Sequence, residues 1–171
     1  MRKQLLSADP RLRTLILHHD DCLAHSSCRP SEWEGPDRVD GILRDIRDPN
    51  QFAAHELEIT DEFNKATVEL LSRAHSPEYI AMVDNLSKQI QRDERSSNSI
   101  KLVVPFTPQV QKHIYQRGPN ETKDPDSCDT LFSSGTLRAA RRAAGAVAYA
   151  VDRVLSGRNR NAFCLVRPPG L

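Results

Sequence analysis

The closing stretch, Asn161–Leu171, constrains the fold more than any other part of the chain. Ala162 to Val166 form a short apolar run, preceded by Arg158-Asn159-Arg160 and followed by Arg167-Pro168-Pro169-Gly170. An apolar run of that length, closed by prolines and a glycine, predicts a buried strand of an α/β protein ending in an abrupt turn. In open α/β sheets the chemistry lies just beyond the carboxyl ends of the strands. The chain reaches that place and stops within a residue or two of it.

Upstream elements fit the same class. Residues 1–13 read as a flexible leader. Thr14-Leu-Ile-Leu-His-His19 is a strand candidate, and the segment Asp20 to Gly35 reads as a long polar loop leaving it. His18, His19, Asp20, Asp21, Cys22, His25 and Cys28 crowd that region, but their spacing matches no zinc pattern. Trp33 is expected to anchor the loop. Pro36 opens a helix, and Val39, Ile42, Leu43 and Ile46 supply its apolar stripe. His55–Ile59 reads as a short strand. Thr60 reads as the N-cap of a helix whose one face carries Phe63, Thr67, Leu70, Leu71 and Ala74. His75 falls between that helix and the next, which Ser76 caps and Pro77 opens, with Tyr79, Val83, Leu86 and Ile90 as its stripe.

Loop compositions then dominate a surface excursion at about residues 91–126, with a marginal or edge strand near Lys101–Pro108 because of its two prolines. Such long loops are usually functional or mobile. The best helix follows. Ser133 or Ser134 is its expected cap, Leu137, Ala140, Ala144, Val147, Ala148, Val151 and Leu155 its packed side, and Gly157 its C′ stop. Arg138, Arg141 and Arg142 sit where the helix dipole disfavours cations, and read as solvent contacts. Strand, helix, strand in this order predicts a βαβ crossover and a mainly parallel sheet.

Charge and cysteine usage exclude some classes. With 24 Lys+Arg against 23 Asp+Glu, the formal charge of +1 gives no electrostatic case for nucleic acid or an anionic membrane. No apolar run is long enough for a membrane span. The four cysteines have no C-x-x-C spacing or dense framework and read as reduced thiols. No glycine-rich phosphate loop follows any strand, which weakens a nucleotide-binding reading.

Several motifs together carry a resemblance. They are His75-Ser-Pro-Glu-Tyr-Ile80, Asp129-Thr130 followed by Ser134-Gly-Thr136, Ala143-Ala-Gly-Ala146, Val151-Asp-Arg-Val-Leu-Ser-Gly157, and Asn161–Gly170. From about Thr14 to Gly170 the chain resembles the N-terminal portion of the zinc-dependent histone deacetylase domain, class II-like. One departure is Glu32-Trp-Glu-Gly-Pro36, where the family enters its first helix with His-Pro-Glu. The resemblance implies a three-layer arginase/deacetylase-type α/β fold, incomplete over residues 14–171. It implies hydrolysis of acetyl-lysine amides in the complete domain, with zinc activating water.

The family's catalytic histidine pair would follow Gly170, and its zinc ligands would lie further on. The resemblance therefore implies no catalytic residue and no zinc ligand in this chain, which alone is expected to be inactive and to bind no cofactor specifically. It implies substrate-holding roles at a rim loop for Asp129 and Thr130, an internal-cavity position for Arg38, and a site-floor turn for Pro169 and Gly170. Structural alternatives stand beside each: Asp129 as a helix cap, Arg38 in a surface ion pair, and the glycine serving only the turn. Implied partners are acetylated lysine side chains of histones or other proteins and corepressor proteins, with no direct nucleic acid and no membrane, in the nucleus, the cytoplasm or both. Two other readings are a non-catalytic interaction fragment and a family member acting on small acylated amines.

Overall fold

A computed structural model describes residues 9, 11, 13–26, 35–53, 55–96, 103–106 and 130–169. Its centre is β1, Thr14–Leu17, flanked by β2, Leu57–Thr60, and β5, Asn161–Cys164, in a parallel sheet of order β2-β1-β5. Leu15 pairs with Glu58 and Ala162, and Ile16 with Ile59 and Phe163. Leu15, Ile16 and Leu17 are all buried, as expected of a middle parallel strand covered on both faces.

Successive residues of a strand face opposite sides, and two packed layers result. On one side Leu15 and Leu17 meet Phe63 and the alanines Ala146 and Ala150 of α4, Thr136–Leu155. On the other, Val39 and Leu43 of α1, Asp37–Arg47, pack with Ile59, Leu23 and Leu165. A second core joins Leu86 and Ile90 of α3, Pro77–Ser96, to Phe132, with Val104, Phe106 and Leu137 around them. It backs a two-stranded antiparallel pair, β3 (Val103–Pro105) with β4 (Leu131–Ser133). The fold is mixed α/β with a parallel sheet between helical layers.

Local signals place many of these elements. Ser76 Oγ accepts from the Tyr79 N–H at 3.2 Å, capping α3 ahead of Pro77. Gly157 follows α4 at φ 70°, a left-handed conformation that favours glycine at the C′ position. The edge strand expected near residues 101–108 is β3.

Other expectations are corrected. Thr60 starts no helix: residues 61–67 lack regular structure, and Thr67 caps the single turn α2, Val68–Leu71, by accepting from Leu70 N–H at 3.2 Å. The reason is tertiary. Phe63 enters the sheet core, Ala66 N–H donates to Arg141 O at 2.8 Å, and the segment lies so close to α4 that a Cβ on Gly145 would be 2.0 Å from Asn64 O. The helix α3 runs on to Ser96, into the expected excursion, with Ile90 its last buried residue. Neither Ser133 nor Ser134 caps α4. Gly135 holds the N-cap position without a side-chain bond, and Ser133 belongs to β4.

The packed side of α4 also differs. Ala139, Ala146 and Ala150 are buried, whereas Val147, Val151 and Leu155 are exposed by 50%, 49% and 82%. Close approach to the sheet and to Asn64 selects the small side chains over the large ones. The start of the expected polar loop is a 3-10 helix, Asp20–Ala24, with Cys22 and the following His25 buried. In α1, Ile42 is exposed and only Val39 and Leu43 are buried. Trp33, most of the leader and residues 97–102 and 107–126 of the excursion lie outside the described residues.

Within α1, a Cβ on Gly41 would meet nothing within 4 Å. Gly41→Ala is expected to stabilise the chain by about 0.5–1 kcal/mol, because glycine loses more backbone freedom in a helix interior. A higher urea midpoint for the variant would show it; an unchanged or lower one would contradict it.

Candidate functional site

The site is built where β5 ends. Leu165 N–H donates to Leu17 O at 2.7 Å, carrying the parallel pairing one step beyond the strand. Arg167 follows, 5% exposed, and its guanidinium donates to the carbonyl oxygens of Cys22 at 3.3 Å and His25 at 3.0 Å. The Arg167–Pro168 peptide is cis. This buried arginine clamps the proline turn to the backbone of the 3-10 helix and the residue after it.

A buried polar cluster supports the clamp. His25 Nδ1 lies 2.8 Å from Thr136 Oγ1, which accepts from the Ser133 N–H at 2.8 Å, while Ser133 Oγ accepts from the Ser26 N–H at 3.1 Å. Burial, and then the charge of Arg167, push the His25 imidazole down to about 4, so it is neutral near pH 7. A Cβ on Gly135 would stand 2.0 Å from Ala24 O. Only glycine lets the end of the 3-10 helix rest on the start of α4.

Around this frame lies a cavity of about 450 Å³, bounded by α3, the first turns of α4, the β3–β4 pair and the proline turn. Thr130 and Pro169, both singled out in the sequence, line it together with His25, His75, Tyr79 and Arg141. Thr130 O accepts from Phe106 N–H at 2.8 Å, extending the β3–β4 ladder. Asp129 and Gly170 lie outside the described residues. Arg38 is exposed on the first turn of α1 and is not among the residues lining this cavity. His75 stacks on Tyr79 with ring centres 5.1 Å apart.

Sequence reasoning misses Arg142. It is expected in solvent, but its side chain is 14% exposed and makes a 2.9 Å ion pair with Asp21. It also donates to Phe63 O and lies over the Phe63 ring, 5.7 Å from its centre. Arg138 at 3.4 Å and Lys65 at 3.5 Å reach the same carboxylate. Burial pushes the Asp21 carboxyl up, but the Arg142 hydrogen bond and the charges of Lys65 and Arg142 outweigh it, leaving it below the usual value. Arg141, likewise expected in solvent, donates from Nε to Ala66 O at 3.0 Å. A helix-periodicity argument sees none of these partners, which are 75 to 121 residues away in sequence.

The histidines and acids near β1 are committed elsewhere. His19 Nδ1 accepts from Asp21 N–H at 2.9 Å, and His18 Nε2 lies 3.2 Å from the Arg47 guanidinium. Cys22 is a free thiol pushed up by burial. Among the described residues no group of three or more His, Cys, Asp or Glu could hold a metal ion, and no helix is long and apolar enough to cross a membrane.

Comparison with known proteins assigns this arrangement to a family. The histone deacetylase domain model matches residues 32–170. Type-2 histone deacetylase 1 of Dictyostelium discoideum is 25% identical over 174 residues, covering 92% of this chain and 12% of that protein. The polyamine deacetylase HDAC10 of Mus musculus is 29% identical over 163 residues, covering 92% of this chain and 20% of its own length. The chain thus spans a small part of the curated relatives it matches. The crystal structure of the HDA15 HD domain superposes with a TM-score of 0.64 at 24% identity, over 93% of this chain and 36% of that one. That likeness concerns the fold, the arginase/deacetylase-type α/β arrangement. A match running from residue 32 through the clamped proline turn makes this chain a member of the histone deacetylase family.

Proposed function

We propose that the chain supplies the N-terminal part of a zinc-dependent deacetylase domain that hydrolyses acetyl-lysine amides of histones or other proteins. The observation that carries this reading is the family match through residue 170, together with the turn at Pro168-Pro169 held by Arg167 at the end of a parallel strand. In this reading Asp129 and Thr130 hold the substrate backbone at the rim. Pro169 and Gly170 form the turn into the site floor, and Arg38 borders an internal cavity. Corepressor proteins are the partners, and the nucleus, the cytoplasm or both the location.

The described residues do not fit zinc, since they hold no sufficient donor set. Their own contribution is structural: they place the turn and fix its height against the 3-10 helix. The 171-residue chain by itself is expected to release no acetate from an acetyl-lysine peptide, with or without added zinc. Chelator-sensitive turnover by the purified chain would overturn that expectation. Transcript sequence beyond codon 171 tests the family role separately. A frame that continues into a His-His pair and a later Asp-x-His segment supports it, and a frame that continues without them contradicts it.

A second substrate class, acylated polyamines, is raised by the likeness to the mouse polyamine deacetylase. Parallel assays of an acetyl-lysine peptide and an acetylated polyamine on the extended protein separate the two.

A further inference from the structure

The two edges of the parallel sheet are finished differently. At the β2 edge, exposed Glu56 and Asp61 flank the strand, and Glu58 holds Arg153 at 2.6 Å. Charges of that kind discourage further pairing. Strand β5 forms the other edge, with no strand beyond it among the described residues. Leu165 N–H turns inward to Leu17 O, and successive residues of a strand direct their backbone groups to alternate sides. The N–H and C=O groups of Ala162 and Cys164 therefore face outward, away from β1.

Both faces beside this edge are apolar. Phe163 is in register with Ile16, on the face away from α4, and is exposed. On the other face, α4 rests Ala146 and Ala150 on Leu15 and Leu17 of β1. Arg153 marks the flank of α4 toward β2. At about 100° per residue, Val147, Val151 and Val154 lie on the opposite flank, beside β5. All three are exposed. With Phe163 they present apolar surface on the order of a few hundred Å², about as much as a monomer leaves open.

We propose that this edge is a self-complementary interface: β5 of one copy pairs antiparallel with β5 of a second copy, about a two-fold axis at Phe163. The register follows from the outward backbone groups. With Phe163 opposite its own counterpart, Ala162 of each copy exchanges both its hydrogen bonds with Cys164 of the other. The two Phe163 rings meet as a close, non-hydrogen-bonded pair, and the two α4 helices come side by side, valine flank to valine flank. Arg160, the exposed cation just before β5, falls at opposite ends of the paired strands, about 20 Å from its counterpart. Side chains and strand backbones of both copies together bury about 1,000 Å², the floor for a specific interface. A patch that pairs with itself closes at the dimer. The proposal concerns this edge alone and stands or falls without the deacetylase reading.

Sedimentation velocity on the 171-residue chain tests it, with a concentration-dependent dimer as the expected result. Ala162→Pro removes an N–H that does not face β1, a change an edge strand tolerates. It is expected to weaken the dimer at least about tenfold, the value of two modest hydrogen bonds. Val151→Lys sets like charges against each other near the axis and is expected to leave a monomer. An unchanged far-UV circular dichroism spectrum is the folding control for both. Under oxidation, Phe163→Cys is expected to cross-link into a dimer far more completely than Val68→Cys, which is exposed elsewhere. A wild-type chain that stays monomeric at every concentration would overturn the proposal and leave the edge to a strand of another protein or of a longer chain. So would a dimer indifferent to both Ala162→Pro and Val151→Lys, or equal cross-linking at the two cysteine positions.

Discussion

Gly145→Ala is expected to destabilise the chain by roughly 3 kcal/mol, at the upper end for overpacking a tight contact. The added Cβ would lie 2.0 Å from Asn64 O and 2.9 Å from Ala66 N, both backbone atoms. Backbone cannot rotate aside as a flexible side chain can, so either α4 lifts from the sheet or the 61–66 segment moves. Lifting α4 would open the contacts of Ala146 and Ala150 with Leu15 and Leu17. Moving the segment would strain the Ala66–Arg141 hydrogen bond and the seat of Phe63. For a chain of this size the melting temperature should fall by about 6–12 °C. Gly41→Ala, with open space around it, should move it the other way. A Gly145→Ala variant as stable as the wild type would refute the packing described for α4.

Loss of the Asp21 carboxylate should cost about 2 kcal/mol, because removing one partner of a partly buried pair leaves the other charge uncompensated. Asp21→Asn keeps the shape but leaves Arg142, Arg138 and Lys65 facing one another. Arg142 accounts for most of the expected loss, since its side chain is 14% exposed, whereas Arg138 at 56% and Lys65 at 38% are screened by solvent. The double variant Asp21→Asn, Arg142→Met should recover part of the loss, which a double-mutant cycle measures.

The effect of pH follows from the lowered carboxyl of Asp21. A group depressed in the folded state contributes stability above its unfolded value, about 3.9 for Asp, and loses it as pH falls through the folded value. The stability gap between wild type and Asp21→Asn should therefore be full at pH 7 and shrink below about pH 4. A gap that stays constant down to pH 2 would show that the carboxylate's charge contributes nothing.

These two sites also mark the limit of what the sequence discloses. The strands β1 and β5, the cap at Ser76 and the stop at Gly157 are legible because each depends on neighbours within a few residues. Thr60-Asp61-Glu62 carries the same kind of local signature, yet no helix forms there. What decides it is Gly145, far along the chain, which lets the segment lie flat against α4. The valines of α4 suggest its packed side because size usually predicts burial. Here the close approach of the sheet selects Ala139, Ala146 and Ala150 instead.

The candidate site is legible to the same degree. Thr130 and Pro169 line one cavity although 39 residues separate them. Arg38 is found exposed on another element. His25, one histidine in a polar run, carries no sign in the sequence of its burial against Thr136. The same holds for Arg141, whose hydrogen bond to Ala66 O, 75 residues away, belongs to the folded chain alone.

The Arg167 clamp has one more consequence, for which positions are free to vary. Its acceptors are carbonyl oxygens of Cys22 and His25, and every residue type carries a carbonyl. Replacing the Cys22 thiol would leave both acceptors in place, so long as the 3-10 turn keeps its shape. A change of side chain at Cys22 thus leaves these two bonds to the proline turn in place.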